Sequence, residues 1–223
     1  ASELFFRLNT LHDQDGTFKE DVDRLTRRLT MIRLYVPERL WELRNDRRLA
    51  EDLEGLPPYN SYGDLFTDKL QGIDSITVRT ALQRSAAQHM GRLSRTNTNG
   101  ISMNQLIVGG LEAVRTMATT TDLAGAFQGF ANEQSRTEFI NEIDSLSNRF
   151  KDQSKPASAY DLRRAVDGML SASRDTVKVM PEALLHEFGN GSMAQLDDYT
   201  AIIWPDDDAR FTRSTKGQFF RVG

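Results

Sequence analysis

Apolar residues recur between Phe18 and Val36 as Phe18, Val22, Leu25, Leu29, Ile32 and Val36, at spacings of 4, 3, 4, 3 and 4. That alternation lines one face of an α-helix and resembles a heptad seam. Thr17 and Glu20 stand three apart ahead of it, the spacing of a capping box that satisfies first-turn amides. Pro37 then breaks the helix or opens a new one at its first turn. Leu40, Trp41, Leu43, Leu49 and Leu53 carry an apolar pattern on to Gly55. The run from Gly55 to Asp64 contains Pro57-Pro58 and reads as a loop.

Further helical periods follow. Val78, Leu82, Ala86, His89 and Leu93 share one side of a helix that begins at Asp74 or Ser75. Ser94 to Gly100 is a polar turn cluster, the connection best suited to movement. Ser102 and Gln105 cap a helix carrying Met103, Leu106, Ile107, Leu111, Val114 and Met117. Gly109 and Gly110 lie inside it, where they weaken a helix unless a neighbour must approach closely. Leu123, Phe127 and Phe130 mark a short helix with Gly125 and Gly129 as further small positions. Ser135 and Glu138 predict a capping box before Phe139, Ile143, Leu146 and Phe150. Lys151 to Pro156 is linker-like, and helices resume at about Ser158 to Ser173 and at Pro181 to Phe188, the latter ended by Gly189.

The period changes near the C-terminus. Tyr199 to Trp204 is rich in strand formers and is stopped by Pro205. Ala209 to Ser214 and Gln218 to Val222 flank Thr215-Lys216-Gly217, which reads as a hairpin turn. The expected fold is therefore mainly α. A helical bundle-like body of about six to eight helices spans 1–196, with internal linkers near 94–100 and 151–157. A small antiparallel β-hairpin appendage covers 197–223.

Composition narrows the chemistry. The 223 residues hold 28 Lys plus Arg against 32 Asp plus Glu, a near balance that disfavours a nucleic-acid-coating protein. No cysteine is present, which removes thiol nucleophiles, thiolate-bound zinc and disulfides. The start Ala1 to Arg7 lacks a basic leader with a long apolar run, and no stretch approaches a membrane span. A cytoplasmic location, or one within an assembled virion, is expected. Arginine supplies 22 of the 28 basic residues, which suits ion pairs or phosphate contacts.

Arg24, Arg27, Arg28, Arg44, Arg47 and Arg48 form the candidate nucleic-acid segment. Acids four residues away (Glu20–Arg24, Asp23–Arg27, Arg47–Glu51, Arg48–Asp52) compensate it and favour an ion-paired face instead. His12 to Gly16 has the look of a calcium loop, but Leu11 and Val22 would occupy its first and twelfth positions, where oxygen ligands are needed. Asp206-Asp207-Asp208 reads as a solvated turn, and Gly189 to Ser192 lacks the Lys-Ser/Thr ending of a phosphate loop. His12, His89 and His186 sit in no metalloprotease pair, and no Gly-x-Ser-x-Gly elbow supplies a nucleophile.

These readings favour a non-enzymatic structural or assembly subunit that self-associates or docks into a larger complex, a viral or phage component or a part of a bacterial machine. No cofactor and no metal are expected, and the expected partners are proteins, first of all copies of the same chain. The interaction residues are Phe18, Val22, Leu25, Leu29, Ile32 and Val36 of the seam, with Phe211, Phe219 and Phe220 of the C-terminal hairpin. Two alternatives stand beside this one. The first is a nucleic-acid-associated protein using Arg24 to Arg48; the second is an enzyme using acids that converge beside His89 or His186.

Overall fold

The computed structural model describes residues 18–61, 65–88, 101–197 and 200–215. Among them are nine α-helices: α1 Lys19–Tyr35, α2 Pro37–Ala50, α3 Phe66–Lys69, α4 Ser75–Gln88, α5 Met103–Thr119, α6 Glu133–Asn148, α7 Ala159–Asp175, α8 Pro181–Met193 and α9 Pro205–Thr215. Two 3-10 turns, Thr121–Gly125 and Gln128–Ala131, join α5 to α6. The protein is mainly helical, as the periodicity predicts.

Helix α5 forms the centre. It is apolar around most of its circumference, with Leu106, Ile107, Leu111, Ala113, Val114 and Met117 all fully buried. A helix of that composition needs neighbours on every side, and α1, α4, α6, α7 and α8 pack around it. The Ser102–Gln105 capping box starts it as expected. Gly109 and Gly110 do what their cost implies. A Cβ on Gly110 would meet Ser192 Oγ at 2.6 Å, and one on Gly191 would meet Ala113 Cβ at 2.4 Å. The backbones of α5 and α8 thus meet through glycine, and Ser192 Oγ donates to the Leu106 carbonyl at 2.8 Å across the same contact. Gly129 makes a similar approach to the Val177 carbonyl, with 1.8 Å left for a Cβ.

An aromatic chain continues the core towards one end of the bundle. The Tyr35 ring lies edge-on to Phe66 and Phe127 at 5.4 and 5.1 Å, and Phe127 meets Phe130 at 5.8 Å. At Val36 the chain turns. Pro37 has no N–H to continue α1 and instead opens α2 at its first position.

Four sequence readings change. Ala209 to Ser214 is not a strand but lies in α9, and no strand occurs among the described residues. Pro205 at the helix start and Asp206, Asp207 and Asp208 in the first turn explain this, because carboxylates there offset the free amides and the macrodipole. Arg210 closes the turn on Asp206 and Asp207, each at 2.9 Å. The cap of α6 is Asn132, whose side chain accepts from Ser135 N at 2.9 Å, so Ser135 lies inside the helix. Gly189 does not end α8, which runs on to Met193. The amides of Gly189 to Ser192, a stretch without the ending of a phosphate loop, therefore belong to a helix interior. Asp206 to Asp208, finally, is a helix start and not a turn between strands.

Thr17, His12 to Gly16, His89, Leu93, the Ser94 to Gly100 cluster and the second hairpin arm with Phe219 and Phe220 lie outside the described residues. The 151–157 linker is a loop, pinned by Asn104. This buried side chain accepts from Ala157 N at 2.7 Å and donates to Phe150 O at 3.0 Å.

Candidate functional site

Helix α8 is buried on nearly every side from Ala183 to Met193, so any charged residue in that stretch is carried into the interior. Glu187 is that residue, only 4% exposed. Burying a carboxylate is costly unless it is hydrogen-bonded, and Glu187 Oε1 accepts from two donors. Tyr35 Oη, from the end of α1, donates at 2.7 Å, and His186 Nδ1 stands 2.9 Å away. The Tyr35 phenol is held well above its ordinary range by burial, then by the Glu187 charge and the hydrogen bond to it.

The extended segment before α9 completes the cluster. The Trp204 ring packs on the His186 imidazole at 4.9 Å between centroids. Its indole N–H donates to Asn190 Oδ1 at 3.1 Å, and the Asn190 amide nitrogen lies 3.3 Å from His186 Nε2. Five side chains therefore tie α1, α8 and the segment leading into α9 together. His186 and Trp204 also line a cleft of about 250 Å³ with Arg33, Lys69, Asp206 and Arg210. A carboxylate that orients an imidazole through Nδ1 is the second half of a general-base dyad. Among the described residues, the His186 ring nitrogens bond the side chains of Glu187 and Asn190 and no hydroxyl. Among the described residues no cluster of three His, Asp or Glu side chains could hold a metal ion.

The second distinctive feature is α2. Of its fourteen residues only Leu40 is buried. The first turn is fixed to the bundle by Arg39, whose guanidinium bonds Asp122 at 2.8 Å and Glu42 at 2.8 Å. Beyond that turn the polar contacts go to the chain that follows the helix. Trp41 Nε1 donates to Pro57 O, Leu56 N donates to Asn45 Oδ1, and Arg48 Nε donates to Glu54 O. Asp52, with φ of 55°, reverses the chain, and Leu53 N reaches back to Arg48 O at 2.9 Å. Helix and returning strap make an arm roughly 21 Å long. It carries Leu43, Leu49 and Leu53 exposed, at 37%, 54% and 47%.

The seam of α1 faces inward. Val22 and Ile32 are buried, and Leu29 and Val36 pack against the bundle core. Met31 and Tyr35, off the strict seam, are buried too. Phe18 and Leu25 are half-buried, and Phe211 on α9 is 67% exposed.

The arginines take several directions. Arg24 pairs with Asp21 rather than Glu20, and Arg47 pairs with Glu51 as its spacing predicts. Arg48 turns to the strap. Arg28 points inward, with one terminal nitrogen 3.3 Å from Thr119 Oγ1 and its Nε buried with no partner among the described residues. Arg27 lines a separate cleft beside Asp23, and Arg44 is exposed on α2. The kink at Pro37 separates Arg24, Arg27 and Arg28 from Arg44, Arg47 and Arg48. Among the described residues no helix is long and apolar enough to cross a membrane.

Sequence reasoning found neither the buried cluster nor the arm. Tyr35 and Glu187 are 152 positions apart, and no local pattern links them. No protein-family model, curated protein or solved structure matches this chain.

Proposed function

We propose that this chain is a non-enzymatic assembly subunit that self-associates through the α2 arm. The observation that carries the reading is a helix and strap with one buried residue and three exposed leucines. Scattered apolar side chains on a surface are ordinary. Three on one short arm that leaves its own core after a single turn are better accounted for by a second surface that covers them. Closed pairing of identical surfaces is the commonest form of such association. The Tyr35–Glu187–His186 cluster then serves as a rigid polar tie behind the arm, holding α1 at the point from which α2 departs. A viral particle or a bacterial macromolecular machine is the kind of assembly such a subunit fits.

Sedimentation velocity of the wild type and of Leu43→Ser/Leu49→Ser/Leu53→Ser tests this. The expected result is a faster-sedimenting wild-type species that the triple variant converts to monomer while its helical circular dichroism is kept. An oligomer that survives all three substitutions would place the contact elsewhere and overturn the assignment to the arm.

A further inference from the structure

Both donors to the buried Glu187 carboxylate go to one of its oxygens. Oε1 takes the Tyr35 hydroxyl and His186 Nδ1, while Oε2 accepts no hydrogen bond among the described residues. Oε2 is not sealed in either. The one side-chain polar atom among those residues that is both enclosed and unpartnered is Arg28 Nε. Oε2 therefore opens to the space that Glu187 lines, a cleft of about 490 Å³ between α1 and the end of α8. A carboxylate carried into the interior with one oxygen open favours a hydrogen-bond donor there, and a charged donor most of all.

Another wall of the cleft is the polar side of α1. Lys19, Asp23, Thr26 and Arg27 follow at spacings of 4, 3 and 1, which keeps them on one face of the helix. The spacing predicts a pair between Arg27 and Asp23. In the structure the Arg27 guanidinium instead makes no hydrogen bond or ion pair among the described residues. Such a guanidinium presents a planar fork of donors that matches a carboxylate. Met193 and Ala194 add apolar surface. A volume of this size lies within the range of small-molecule pockets. The cleft thus joins an acceptor for a cation at its floor to a donor fork for an anion at its wall.

We infer that this cleft binds a small zwitterion of the α-amino acid class, with its ammonium on Glu187 Oε2, its carboxylate on Arg27 and its side chain against Met193 and Ala194. A simple amine would leave Arg27 unmatched, and a simple acid would meet Glu187 as a like charge. The inference goes beyond the arm-mediated association and uses none of its leucines, so either can fail alone.

The standard α-amino acids, titrated singly into the full-length chain by isothermal titration calorimetry, test this. The expected result is saturable binding of at least one of them with a Kd of about 1 mM or lower. For that amino acid, the corresponding amine without the carboxylate and the acid without the ammonium should each bind about tenfold more weakly, the loss of one charge-assisted contact. Arg27→Gln, a change on the surface of α1 whose folding is checked by circular dichroism, should weaken the amino acid by about the same factor and leave the amine unchanged. Glu187→Gln should weaken both. No saturable binding of any amino acid up to about 20 mM would overturn the inference. An amine that binds as tightly as its amino acid would reduce the cleft to a cation site and overturn the zwitterion assignment. Affinity unchanged in Arg27→Gln would place the binding elsewhere and likewise overturn it.

Discussion

The Tyr35 hydroxyl supplies one of the two hydrogen bonds that satisfy the buried Glu187 carboxylate. Removing the Tyr35 hydroxyl leaves the buried carboxylate with one donor fewer, so Tyr35→Phe should destabilise the fold by about 1–3 kcal/mol, read as a lower urea midpoint at neutral pH. The same pair sets a pH dependence. The phenol is raised well above its ordinary value of 10.0 in the folded state, so the folded protein holds this proton more tightly than the unfolded chain. Its contribution is therefore whole below about pH 10 and is lost as pH rises through the folded value. Stability measured between pH 9 and about 11.5 should fall in the wild type, and fall less steeply in Tyr35→Phe. Parallel curves would mean that the Tyr35 proton is not linked to folding. None of this was legible in the sequence. His186-Glu187 reads as a polar pair at a helix end, because Gly189 mimics a stop signal.

The glycines show where element-level reading succeeds and where it fails. Gly109 and Gly110 announce themselves because a helix interior has no local use for them, and the tertiary use, contact with α8, is what the structure supplies. Gly189 carries the same signal but sits where a terminus is expected, so the local explanation masked the tertiary one. Two substitutions separate the cases. Gly191→Ala forces a methyl into Ala113 Cβ and the Gly109 carbonyl, at 2.4 and 2.5 Å, whereas Gly125→Ala meets only Val36 Cγ1 at 3.4 Å. The first should cost about 1–3 kcal/mol of overpacking, and the second should stay within about 0.5 kcal/mol of wild type in thermal or urea unfolding. Caps behave similarly. Ser102–Gln105 was legible because both members of the box are local, and Ser102→Ala should cost about 1 kcal/mol. For α6, Asn132 and Ser135 were both eligible, and Asn132 wins by accepting the Ser135 amide. At α9 the local signal was present as a proline followed by three acids. The strand-forming run before it drew that stretch into a hairpin reading.

For the whole molecule, the mainly helical fold followed from hydrophobic period and punctuation, because α4 to α8 each bury apolar residues in one shared core, whereas α3 and α9 raise the helices among the described residues to nine against the expected six to eight. The arm did not follow. Leu40, Leu43, Leu49 and Leu53 look like a continuation of the core pattern, yet only Leu40 reaches the core, because Arg39 and the Pro37 kink fix the departure of α2. Exposed leucines that the fold leaves over are the substance of the self-association claim. The measurement that bears on it most directly is the absolute mass of the purified chain, by size-exclusion chromatography with light scattering over a wide concentration series. The account predicts a mass that is a multiple of 25.3 kDa, or one that rises towards such a multiple with concentration. A constant 25.3 kDa across the whole series would contradict it.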